Sequence, residues 1–280
     1  MRRITFAKTR WVQVLASGVV LFIATEQAFR LTGNPNYFPT VLLLGSFVMP
    51  VAFVTYVYGR ESTLDTHTES PLGSVILSFL VGGAVGVVIA GILEFQTLSG
   101  LTPANLFGVG LIEEAAKLVL PIFLFLRGRF RSEMDGILFG VAAGMGFASL
   151  ETMGYGLVVF VNSLGDINEL EQVLLLRGIL SPVGHAAWTG LVCGILWRER
   201  QRKGRGLLSL AAFGAFIAAV ILHTLWNLSN SIEGQSTASV VYSSLGNVAV
   251  AAVSLTLLIR RLRESRRFSV SSTSNSSPGA

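Results

Sequence analysis

NLFGVGLIEEAAKLVLPIFLFL, residues 105–126, sets Glu113, Glu114 and Lys117 near the centre of an otherwise apolar run. The run has the ~20 residues needed to cross the hydrocarbon of a bilayer. A charged side chain at that depth costs a few kcal/mol or more, so a chain that keeps three of them is using them. Lys117 stands at i+4 from Glu113 and at i+3 from Glu114, within reach of either carboxylate. One lysine does not neutralise two glutamates, and the second acid is left for another partner such as a histidine or a metal.

The rest of the chain has the same character. Of its 280 residues, 51% are hydrophobic and only 13% charged, with a mean hydropathy of +0.64. Soluble domains carry about 25% charged residues. The expected fold is an all-α polytopic membrane bundle with about eight spans of roughly 20 residues. They lie near 11–29, 38–58, 72–95, 104–126, 136–162, 174–197, 206–228 and 238–259. The first run is long for the apolar part of a signal peptide, about 7–15 residues, and reads as a retained helix. One domain, 1–260, contains them all, followed by a basic and then Ser-rich tail, 261–280, expected to be disordered. Cys193 is the single cysteine, which excludes an internal disulfide framework or a cysteine zinc cluster.

The net charge of +5 does not point to nucleic acid, because the basic residues gather between apolar segments. With both termini cytoplasmic, every Lys and Arg except Arg30, Lys117 and Arg177 falls on the cytoplasmic side, as the positive-inside rule asks. The loop around 163–173, on the outer side, carries Asp166, Glu169 and Glu171 instead. Glu26 and Glu94 lie near outer helix ends, where headgroups are in reach, and His67 falls in a cytoplasmic loop.

Counting down from the outer helix ends at 1.5 Å per residue places Glu113 and Glu114 roughly 14 Å deep, and Glu151 and His185 roughly 17 Å deep. His223 is about one to two turns from that surface. Four segments thus carry polar groups to overlapping depths, as one site opening outward or sideways into lipid requires. Phe147, Glu151 and Tyr155 share a helix face, as do His223 and Asn227. Gly136, Gly140, Gly144 and Ala148 form a small-residue ridge beside the Glu151 face, with a similar ridge at Gly82, Gly86 and Ala90. Pro121 and Pro182 remove the hydrogen bonds to the carbonyls of Lys117 and Gly178, beside both polar clusters. Asp135 reads as a helix cap, and Trp188, Trp197 and Trp226 as packing or interface anchors.

EEAAK (113–117), DGILFGVAAGMGFASLETMGY (135–155), the glycine–histidine of SPVGHAAWTG (181–190) and HTLWN (223–227) resemble the four motifs of the PrsW-type intramembrane proteases. These belong to a superfamily with the CAAX prenyl endopeptidases and bacteriocin-processing membrane proteins. The resemblance covers residues 104–228, with Thr152 where the family often has Asn. It implies peptide-bond hydrolysis at or in the membrane. In this branch it implies cleavage of single-span proteins such as anti-sigma factors near the outer face. The partners expected are a transmembrane protein substrate and the lipid bilayer of the cell membrane, with no nucleic acid.

Two mechanisms fit the residues. In one, Glu113 or Glu114 takes a proton from water, helped by Glu151 or His185, while His223 and Asn227 stabilise the oxyanion. Lys117, Phe147 and Tyr155 support that site, and the superfamily analogy favours Glu113 as the base. In the other, His185, His223 and a glutamate, Glu151 being one choice, hold Zn2+. No HExxH is present. A transporter or proton relay, or a non-catalytic scaffold that binds membrane helices, would use the same buried groups.

Overall fold

The computed structural model describes residues 2–61, 72–204, 206–231 and 237–274. His67 lies outside them. The described residues form ten α-helices and no strand: α1 (Arg2–Thr32), α2 (Phe38–Glu61), α3 (Leu72–Thr97), α4 (Pro103–Lys117), α5 (Val119–Arg127), α6 (Glu133–Asn162), α7 (Ile167–Leu180), α8 (His185–Lys203), α9 (Leu210–Asn230) and α10 (Thr237–Ser274). Seven segments are long and apolar enough to cross a membrane. The chain is therefore a multi-pass membrane protein.

The fourth expected span, 104–126, is two helices rather than one. Pro121 cannot donate to Lys117, and at Leu118 the N–H turns to Ala115 O at 3.1 Å in a tighter turn. Neither α4 nor α5 reaches spanning length alone. The sixth is also broken. Asp166 caps α7, accepting from Asn168 N at 2.7 Å, so the segment expected as an outer loop, 163–173, is mostly helix. Pro182 lies in a 3-10 turn, Ser181–Val183, and Gly184 links it to α8. Together α7 and α8 make one candidate span, Ile167–Lys203.

α6 is the hub. Residues 134–149 are all buried, and α3, α2 and α8 pack around it. The small-residue ridge explains the approach of α8. A Cβ built on Gly140 would stand 2.8 Å from Cys193 Cβ and 2.9 Å from Gly190 Cα. One built on Gly144 would stand 2.7 Å from the carbonyl carbon of His185. The absence of side chains there lets the start of α8 lie against α6 and carries His185 into the bundle. On the opposite face a Cβ on Gly82 of α3 would meet Ala143 Cβ at 2.7 Å.

One end of the bundle is basic. Asp135 and Ser132 form the capping box expected of Asp135, with Asp135 N to Ser132 Oγ at 3.1 Å and Ser132 N to Asp135 Oδ2 at 3.0 Å. Beside it, buried Glu133 pairs with Arg261 Nε at 2.9 Å. Arg261 is itself buried on α10, which continues to Ser274. The packed domain therefore extends past the boundary expected at 260, because Arg261 has a buried acid to meet. Residues 275–280 lie outside the described residues. At the other end, Glu26 is buried rather than at the headgroups: Arg30 pairs with it and with Glu171 at 2.9 Å.

Replacing Gly140 with valine is expected to destabilise the protein by about 1–3 kcal/mol or more. Gly214→Ala, at a position with nothing within 4 Å, should change stability by less than about 0.5 kcal/mol. Thermal unfolding of the two purified variants in detergent measures both.

Candidate active site

The break at Leu118 ends α4 with Lys117, whose side chain is fully buried. Its ammonium reaches Glu114 Oε1 at 2.8 Å, Glu113 Oε2 at 3.2 Å and His185 Nδ1 at 2.8 Å. It also lies 4.2 Å from the centre of the Phe147 ring. One buried cation therefore ties α4 to α6 and α8. Burial strengthens these contacts and leaves no water to replace them.

The two glutamates differ. Glu114 is saturated: beyond Lys117, its Oε2 accepts from Thr189 Oγ1 at 3.2 Å and its Oε1 lies 3.0 Å from His223 Nδ1. Glu113 has Lys117 on one side and His223 Nε2 at 3.6 Å. Of the pair, it is Glu113 that lines the cavity.

That cavity has a volume of about 550 Å³. Glu113, Glu151, Tyr155, His185, His223 and Asn227, all expected at the site, line its wall. Glu114, Lys117 and Phe147 sit behind it, holding the wall in place. Its lining runs to where α3 meets α4, at Glu94 and Leu101, and to where α9 ends, at Asn230 and Ser231.

Glu151 has partners of its own. Its Oε2 lies 2.8 Å from Arg177 Nη2 and 3.1 Å from His185 Nε2. Arg177 also donates to Thr152 Oγ1 at 3.3 Å and stacks 4.0 Å over the Tyr155 ring. An ionised carboxylate only accepts, so Glu151 places the His185 proton on Nε2, and Nδ1 accepts from Lys117. Both nitrogens of His185 are thereby used, and the ring does not abstract a proton in this arrangement. His223 gives Nδ1–H to Glu114 and turns Nε2 towards Glu113. Glu113 and His223 Nε2 are the proton-exchanging atoms of this cluster that face each other across the cavity.

Trp188 has a larger role than an anchor. It stacks on His223 with ring centres 4.7 Å apart, is fixed by Nε1–H to Ser254 Oγ at 2.9 Å, and lines the cavity. Arg177, Thr189 and Glu94 were not expected at the site from the sequence. Arg177 interrupts the apolar run LLLRGIL, and the Asp166 cap, which starts α7 at Ile167, places it about 15 Å along that helix. Glu94 lines the cavity instead of reaching headgroups.

The residues also fit a metal. Glu113, His185 and His223 can each offer a donor atom, all within 4.8 Å of one another. Two imidazoles and one carboxylate are a zinc donor set that leaves a position for water. The second carboxylate-backed shell is present as well, Glu114 on His223 and Glu151 on His185. The carboxylate of this set is that of Glu113, while Glu151 is paired with Arg177 and with His185 Nε2. The competitor for this seat is the Lys117 ammonium, which already occupies His185 Nδ1.

The chain is similar to "Protease PrsW" of Shouchella clausii, 27% identical over 234 residues, covering 82% of this chain and 99% of that protein. It is 26% identical to "Protease PrsW" of Clostridioides difficile over 178 residues, 60% of this chain and 72% of that one. No solved structure matches. Residues 70–258, which hold every site residue named above, match the family described as "PrsW family intramembrane metalloprotease". The chain belongs to the PrsW family and is an intramembrane peptidase.

Proposed function

We propose that this peptidase cuts single-span membrane proteins, anti-sigma-factor-like ones among them, near the outer face of the cell membrane. The reading takes eight crossings, counting α4 and α5 as one, with both termini cytoplasmic. The basic end of the bundle then faces the cytoplasm and the cavity opens outward. The observation that carries it is the inequality of the two glutamates: Glu114 is locked by Lys117, Thr189 and His223, while Glu113 faces the cavity opposite His223 Nε2.

In this mechanism a water bound between Glu113 and His223 gives a proton to Glu113 and forms the new C–O bond to the scissile carbonyl carbon. Asn227 donates to the oxyanion, worth roughly 3–4 kcal/mol in a dry site, while His223, expected as a second donor, has its N–H on Glu114 and turns Nε2 to the water, orienting it. Glu113 then passes the proton to the leaving amide nitrogen as the C–N bond breaks, which regenerates the carboxylate. Lys117 and Arg177 keep the surrounding acids paired throughout, and Trp188 holds the His223 ring in plane.

The carboxylate-backed histidines support a second reading. Glu113, His185 and His223 would hold Zn2+ if Lys117 released His185 Nδ1. A metal there would lower the pKa of its water towards about 7 and polarise the carbonyl.

Protein N-termini in membranes of cells making the wild type or Glu113→Gln test the proposal. The wild type should generate fragments that fall by at least about 100-fold in the variant at equal expression. Identical maps would contradict it. A chelator added to the same membranes should leave cleavage within about twofold under the glutamate mechanism, whereas zinc-restorable loss of about 100-fold would select the metal.

A further inference from the structure

The cavity extends beyond the catalytic cluster, and part of its remaining wall is polar. Asn227 and Asn230 of α9, Ser231, and Asn247 of α10 line one side, and Glu94 of α3 contributes another polar group. Asn247 Nδ2 donates to Asn230 Oδ1 at 2.7 Å, which fixes the amide and leaves Asn247 Oδ1 buried with no protein donor. Glu94 Oε1 is likewise buried without a donor. Buried acceptors of this kind are rare, and each calls for a reason. Neither atom takes part in the cluster around Lys117.

Resting on the peptidase reading above, the requirement they meet is physical. A membrane-spanning substrate arrives as a helix whose N–H groups are bonded internally. Glu113 reaches a scissile carbonyl only after about one turn has unwound, and the N–H groups so freed need acceptors in a low-dielectric setting. We propose that Asn247 Oδ1 and Glu94 Oε1 are those acceptors, and that the cavity binds an unwound stretch of substrate backbone between α3 and α10. Substrate choice would then depend on how readily a helix unwinds near the cut, beyond the identity of any one side chain.

The test compares N-terminal maps of membrane proteins from cells making the wild type, Asn247→Leu, Glu94→Leu, and the acceptor-retaining Asn247→Asp and Glu94→Gln. Ala variants replace the Leu forms if those fail to accumulate. Loss of an acceptor should lower cleavage about tenfold at sites without Gly or Pro within roughly one turn of the cut. At sites with Gly or Pro there, where the substrate supplies the unwinding, the loss should stay under about twofold. The conservative variants should cut at near wild-type levels. Uniform loss, no loss, equal loss in the conservative variants, or wild-type cuts confined to Gly- or Pro-flanked sites would each overturn the proposal. If the wild type and Glu113→Gln give the same map, the peptidase mechanism fails first, a result distinct from these four.

Discussion

The ammonium of Lys117 is the point on which the site depends. It is fully buried and touches Glu113, Glu114, His185 and the Phe147 face, so it joins three helices through one charge. A cation with no water around it needs nearby anions, and two glutamates with no water around them need a cation. Removing Lys117 leaves two buried carboxylates without their cation, and breaking a buried pair costs about 3–5 kcal/mol. The cluster is therefore structural and chemical together. It fixes the end of α4 against α6 and α8, and in doing so it sorts two adjacent glutamates into a locked one and one that faces the cavity.

The backbone is arranged around this cluster. α4 ends at Lys117 because Pro121 withholds a hydrogen bond, and α8 starts at His185 because Gly184 and Pro182 interrupt the helix before it. Small residues on α6 let α8 approach to backbone contact at the level of the site. A histidine at the start of a helix, pressed on a glycine ridge, has little freedom to move. Glu151, itself paired with Arg177, fixes its ring at Nε2, and Lys117 fixes it at Nδ1.

Much of this was legible in the sequence, because hydrophobic length and charge asymmetry report directly on membrane spans, and four motifs at matching depth report on a site. Glu113, Glu151, His185, His223 and Asn227 do share one cavity. The breaks at Leu118 and Gly184 were not legible as helix ends, since hydropathy averages over the prolines that cause them. Glu26, Glu94 and Arg177 were assigned to headgroups or the outer side by distance from helix ends. Their actual settings follow largely from partners on other helices, Glu171 for the Arg30 that pairs with Glu26 and Glu151 for Arg177, which spacing along one helix does not reveal. The pairing of Glu151 with Arg177 was hidden for the same reason. Depth placed it beside the histidines, but only the packing of α7 shows that Arg177 claims it.

The central claim is that adjacent glutamates have opposite environments, and access to water measures this directly. Cys193 is buried and is the only native cysteine, so a Cys193→Ser background allows single cysteines at 113 and 114. Both would be exposed, in membranes of stated sidedness, to a membrane-impermeant thiol reagent. The account predicts labelling of Glu113→Cys from the outer face and protection of Glu114→Cys in protein that remains folded. Equal labelling of the two positions, or labelling of position 113 from the cytoplasmic face alone, would contradict it.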